Sequence, residues 1–216
     1  MSARTRVGVL VSGAGSNLSA LLDACDPPGI PAEVVLVVSN KRHCVALDIA
    51  GNRGVDTVSL PVTDFANEAA ARDIAMVDAL RAAGVQLVVC AGYNRVLSNH
   101  VLAAYPDAIL NVHPSLLPAF GGGMNAVEDA LGAGVKITGC TVHLLAAGAL
   151  DGGPIVLQAP VAVEESDDAE TLRTRIHKQE WRLLPHAVEL WATGRLEREG
   201  AMVRILPEPH LRQGVN

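Results

Sequence analysis

The chain is poor in aromatic residues, has no long apolar run and carries no closely spaced cysteine pair, and each shortage removes a class of function. At 3% aromatic content it lacks the side chains on which single-stranded nucleic acid stacks, and a net charge of −6 argues against a nucleic-acid groove. That balance leaves open a local basic pocket for a small phosphate. Hydrophobic residues make up 50% of the chain but are spread along it, and no stretch reaches the roughly 20 residues that span a bilayer. Cys25, Cys44, Cys90 and Cys140 are scattered without CxxC spacing, three of them in or beside apolar stretches, and read as reduced thiols rather than metal ligands. Met1 to Arg6 is basic, yet the apolar run Val7 to Val11 is too short for a signal segment and meets a glycine turn at once. A cytoplasmic protein is expected.

What is present alternates between strand and helix. At 216 residues the chain fits a single α/β domain spanning 1–216, with a first half over about 6–110 and a second over about 111–200. The first strand, Arg6 to Ser12, gives way to Ser12-Gly13-Ala14-Gly15-Ser16-Asn17 and a helix carrying Leu18, Leu21 and Leu22. Such a turn points main-chain N–H groups and a helix N-terminus at an anion, with Ser16 and Asn17 adding side-chain donors. A dinucleotide fingerprint would need glycine where Leu18 stands and an acidic residue where the second strand ends in Ser39-Asn40-Lys41, so a phosphate monoester fits better than a pyrophosphate. The bland alternative is a tight turn with an N-cap and no ligand.

Further strands are expected at Glu33 to Ser39, Asp56 to Leu60 and Val85 to Ala91, with helices over 42–53 and over 65–83. Asp64 is the expected cap of the latter helix, and Ala70, Ile74, Val77 and Leu80 its buried face. Gly92-Tyr93-Asn94-Arg95-Val96-Leu97 then falls at the carboxyl edge of the sheet, where open α/β proteins bind ligands. The repeated alternation predicts a mostly parallel twisted sheet with a Rossmann-like N-terminal half. Beyond it, Thr138 to Leu145 and Ile155 to Val163 form an expected hairpin-like addition antiparallel to the rest. A long helix, about Ala169 to Thr193 with a kink at Pro185, a two-stranded edge over Leu196 to Ile205 and a frayed tail complete the expectation.

The most telling stretch is Ile109-Leu110-Asn111-Val112-His113-Pro114, an apolar strand that carries an amide and an imidazole. Alternation sends Asn111 and His113 to one face and Leu110 and Val112 to the other, and Pro114 stops the strand just after the ring. Two buried polar groups satisfied by backbone partners would be the plain alternative.

With these pieces in order, the chain resembles the phosphoribosylglycinamide formyltransferase family of folate-dependent enzymes. The resemblance runs from about Arg6 to Arg198 and rests on Ser12 to Asn17, Val38-Ser39-Asn40, Ala91 to Leu97, Asn111 to Pro118, Thr141-Val142-His143 and Leu150-Asp151-Gly152-Gly153-Pro154. It implies a nucleotide-phosphate-binding first half and a catalytic, folate-binding second half. It implies Gly15, Ser16 and Asn17 as the cradle of the substrate phosphate and Glu180 as a further contact of the ribonucleotide. Tyr93, Asn94, Arg95, Val96 and Leu97, together with Asn111, would contact the co-substrate 10-formyltetrahydrofolate. Asn111, His113 and Asp151 match the catalytic positions, with Asp151 expected to raise the His113 pKa.

The partners so implied are two small molecules, 5-phosphoribosylglycinamide and the formylfolate, with no nucleic acid, no membrane and no metal. A homodimer is compatible with all of this. The sequence departs from the family pattern at Ala119-Phe120-Gly121-Gly122-Gly123-Met124, and Glu68 stands where relatives place an arginine for the folate tail, leaving Arg95 or Arg72 for that task. His177 falls either near the phosphate or on the helix surface. The Asn-x-His-Pro pattern with a later Asp is shared with methionyl-tRNA formyltransferases and formylfolate hydrolases; chain length and acidity favour the ribonucleotide enzyme.

Overall fold

The computed structural model describes residues 4–148 and 150–208. Its centre is a seven-stranded sheet in the order β3-β2-β1-β4-β5-β6-β7. The strands are β1 (Thr5–Val11), β2 (Ala32–Ser39), β3 (Asp56–Ser59), β4 (Leu87–Cys90), β5 (Ile109–His113), β6 (Ile137–Leu144) and β7 (Ile155–Ala162). β1 to β5 pair in parallel, as the continuous apolar runs of β1 and β4 demand of strands covered on both faces. β6 is antiparallel to β5 and β7 to β6, so β7 again runs with the parallel set and only β6 opposes it. The expected addition is thus one reversed strand and one restored strand.

Two layers of helix cover the sheet. α1 (Ser16–Cys25), α2 (Val45–Asn52) and the 24-residue α6 (Ala169–Ala192) pack on the face carrying Val9, Leu110 and Val112. α3 (Ala69–Ala82) and α4 (Asn99–Ala104) pack on the face carrying Leu10, Val88 and Ile109. The short α5 (Ala126–Gly132) lies beside α6. Asp168 caps α6 by accepting from Thr171 N–H, while the Thr171 hydroxyl accepts from the Asp168 N–H. Pro185 lies inside this helix and is buried.

Four expectations change. The helix expected from Phe65 begins at Ala69: Val62–Phe65 is a 3-10 turn and Ala66 and Asn67 take positive φ, which breaks the helical path. Asp64 does not cap it and instead pairs with Arg42. Ala70 and Ile74, both expected inside, are exposed, Ile74 to 48%, because the inward face of α3 carries Arg72, Asp73, Met76, Val77 and Leu80. Lastly, β8 (Leu196–Glu199) and β9 (Met202–Ile205) form a separate antiparallel ribbon rather than an edge of the main sheet. The tail beyond Glu208 lies outside the described residues. Among the described residues no helix is long and apolar enough to cross a membrane.

Candidate active site

A crevice of about 670 Å³ opens at the carboxyl ends of β4 and β5. Its walls are residues 92–97 after β4, the end of β5, the glycine loop at 122–124 and the segment that ends at Asp151. Connections from β1 lead outward to β2 and β3 and then return across to β4, so the sheet reverses its winding between β1 and β4, beside this crevice.

β5 presents its polar groups as its alternation requires. Leu110 and Val112 are buried under α1 and α6, while Asn111 and His113 turn to the other face and reach the crevice. The antiparallel register then sets His143 directly across from Asn111. Asn111 Nδ2 lies 3.0 Å from His143 Nε2. An amide nitrogen only donates, so the imidazole accepts at Nε2 and keeps its proton on Nδ1. His143 is fully buried, and burial lowers its pKa against an opposing pull from Asp151. A neutral ring therefore orients the Asn111 amide and leaves its second N–H free to point elsewhere. His143 Nδ1 has no hydrogen-bond partner among the described residues.

His113 sits between two acceptors. Its Nε2 donates to the Phe120 carbonyl at 3.0 Å, and its Nδ1 is 3.6 Å from Asp151 Oδ2. The same carboxylate accepts from the Gly122 N–H at 2.9 Å and stands 3.9 Å from His143 Nε2. Asp151 takes φ 52°, a conformation aspartate tolerates better than most residues. The glycine loop, with Gly122 at φ 81°, thus folds its main chain against both His113 and Asp151.

A second polar cluster lies on the α1 and α6 side. Gly15 adopts φ 78°, and a Cβ there would meet Ala46 Cα at 2.8 Å, so glycine is required by packing as well as by the turn. It leads into the first turn of α1, whose leading N–H groups have no intrahelical acceptors. The Asn17 side chain does not face that opening freely: its Nδ2 donates to Glu180 Oε2 at 2.8 Å. Glu180 is 3% exposed, not a solvated helix charge, and burial raises its pKa while the Asn17 bond pulls it down. His177 lies 4.0 Å from the same carboxylate and stacks on Trp181.

Tyr93, Asn94, Arg95, Val96 and Leu97 all line the crevice. Burial pushes the Tyr93 hydroxyl up to about 12, so it is a neutral donor at physiological pH. Arg95 forms no salt bridge among the described residues, whereas Arg72 is 3% exposed and doubly bonded to Asp73, whose other oxygen accepts from Ser98 N–H. Arg72 is therefore not available as a cation for an incoming carboxylate. Sequence reasoning missed the roles of His143, Phe120 and Asp73, because each depends on a long-range register or a loop path. The one hint in the sequence was the stretch Thr141-Val142-His143 among those that carry the family resemblance. Among the described residues no group of three His, Cys, Asp or Glu side chains is placed to hold a metal ion.

Residues 5–188 match the family model described as formyl transferase. The chain is 45% identical over 192 residues to phosphoribosylglycinamide formyltransferase of Mycobacterium tuberculosis, covering 89% of this chain and 87% of that protein. It is 41% identical to the trifunctional purine biosynthetic protein adenosine-3 of Bos taurus over 88% of this chain, but spans only 19% of that protein's length. Its fold superposes on the crystal structure of glycinamide ribonucleotide transformylase 1 from Symbiobacterium toebii with a TM-score of 0.92 at 46% identity, covering 96% of both chains.

Proposed function

The chain belongs to the formyl transferase family and, within it, to the phosphoribosylglycinamide formyltransferases, and from that premise we propose that it moves the formyl group of 10-formyltetrahydrofolate onto the amine of 5-phosphoribosylglycinamide in purine synthesis. The observation that carries the reading is the convergence of Asn111, His113 and Asp151 on one crevice at the carboxyl edge of the sheet. In this reading the substrate phosphate rests on the first-turn amides at Gly15, Ser16 and Asn17, and Glu180 meets the ribonucleotide. The folate lies along Tyr93 to Leu97, with Arg95 facing its carboxylates. The reduced thiols, free at all four cysteines, accord with a cytoplasmic setting.

The substrate amine attacks the formyl carbon, forming the new C–N bond while the carbonyl electron pair moves onto oxygen. Collapse of that adduct breaks the bond to the folate nitrogen, which leaves with a proton taken in the end from the attacking amine. Asn111, held by His143, offers its second N–H to the oxyanion. Once the reacting groups displace the Phe120 carbonyl from its Nε2, His113 relays the proton, and Asp151, 3.6 Å from Nδ1, supports the positive charge the ring carries while it holds that proton. A preorganised donor of this kind is worth roughly 3–4 kcal/mol in related acyl transfers, and holding the two reactants at near-attack distance contributes at least as much.

Mixing the protein with both substrates and following folate absorbance tests the reading. Turnover should require both compounds, and Asn111→Ala should lower kcat by about 10²–10³-fold with little change in KM. Wild-type protein that does not turn over with both compounds present overturns it.

A further inference from the structure

Three strand ends meet in one closed ring of hydrogen bonds. Ser12 follows β1, Asn40 follows β2 and Asn94 lies in the segment after β4. Ser12 Oγ donates to Asn40 Oδ1 at 2.6 Å, Asn40 Nδ2 donates to Asn94 Oδ1 at 2.9 Å, and the Asn94 main-chain N–H returns to Ser12 Oγ at 3.0 Å. Each of the three residues is thereby held by the other two, and only the Asn94 main-chain N–H is a donor by necessity.

The ring is not needed to shape the turn in which Asn40 sits. That turn has its own bond, from Lys41 N–H to Ser39 Oγ at 3.0 Å. Asn40 is 7% exposed and is not among the crevice walls, so it is built to hold other groups rather than to meet a ligand. What it holds are the two sides of the point where the sheet reverses its winding. On one side, Ser12 opens the glycine turn that leads to Gly15, Ser16 and Asn17; on the other, Asn94 lies within the crevice wall.

We propose that Asn40 is a positioning residue that sets the spacing between the phosphate turn and the crevice wall, and through it the approach of amine to formyl carbon. The inference rests on the functional reading above, since it assigns one substrate to each side. Neither substrate touches Asn40, so opening the ring leaves binding of each alone largely intact and loosens their mutual alignment. A misplacement of about 1 Å is enough to lower the rate about 10²-fold.

The test uses the full chain and the variants Asn40→Ala, Ser12→Ala and their double, with steady-state kinetics in each substrate, melting curves and hydrogen exchange at the Asn94 amide. Each single variant should lose kcat by about 10- to 100-fold with both KM values within about threefold of wild type. The double should be no worse than the poorer single, because either change opens the same ring. Exchange at the Asn94 amide should quicken in all three. Wild-type kcat in a folded single variant, whatever its Tm, overturns the proposal, as do losses confined to one KM or losses that multiply in the double. Should Asn40→Ala fail to fold, Ser12→Ala decides by the same kcat criterion. Wild-type protein inactive with these substrates overturns the functional reading instead, and an unchanged Asn94 exchange rate then still overturns the ring.

Discussion

Glu180 shows what a single buried charge does to this molecule. Its carboxylate is held by Asn17 but lies in the protein interior, and burial, the larger effect, raises its pKa above the ordinary 4.5. Below about pH 4.5 the carboxyl is protonated in both folded and unfolded chains. As pH rises past that value the unfolded chain releases its proton first, so the fold loses stability until the folded carboxyl ionises too. Glu180→Gln keeps an oxygen for Asn17 and never ionises. Relative to wild type, its stability in urea should therefore improve as pH rises above about 4.5 towards the raised pKa of the folded carboxyl, even as the ribonucleotide KM rises. A stability difference that stays flat across that range would mean that Glu180 does not carry a raised pKa.

The residue scale is also where sequence was most and least informative. Alternation placed Asn111 and His113 on one face because a strand's period is local and Pro114 marks its end. It could not place His143, since the Asn111–His143 contact depends on the register of a strand 32 residues away. Gly15 was legible as part of an anion turn, but its packing against Ala46 was not. A bulky substitution there would disturb α2 as well as any ligand, which makes it a poor probe of phosphate binding.

Among the elements, α3 departs furthest from its pattern. Apolar spacing put Ile74 inside, yet the helix is rotated so that an adjacent Arg and Asp go in and Ile74 faces out. The reason is a demand from elsewhere: Asp73 accepts from Ser98 N–H, at the end of the crevice wall and the start of α4, and Arg72 neutralises it. A polarity pattern has no way to register a main-chain donor 25 residues on. Asp73→Ala should leave the Arg72 charge buried and alone, lowering stability by about 3–5 kcal/mol, whereas Arg72→Met with Asp73→Leu should recover much of that loss. Denaturant melts of the two variants check this. Equal destabilisation in both would mean that the lost Ser98 bond, not the stranded Arg72 charge, carries the cost.

At the scale of the whole molecule, the strand and helix order yielded the parallel sheet and its carboxyl edge, because connection rules leave few arrangements, while the reversal between β1 and β4 came from the strand order of the folded sheet. The path of the glycine loop over His113 and Asp151 was not legible, since three consecutive glycines specify no conformation by themselves. The site joins chain segments from both halves, which fits a protein that must hold two small molecules together and keep water from the formyl carbon. Direct transfer and hydrolysis would consume folate alike and differ only in where the formyl group goes. The decisive measurement is a single turnover with formyl-labelled 10-formyltetrahydrofolate, excess protein and 5-phosphoribosylglycinamide, followed by separation of the products. Direct transfer predicts label in the ribonucleotide, in step with folate consumed, and no folate consumption when the amine is left out. Label appearing as formate, or folate consumed without the amine, would contradict it.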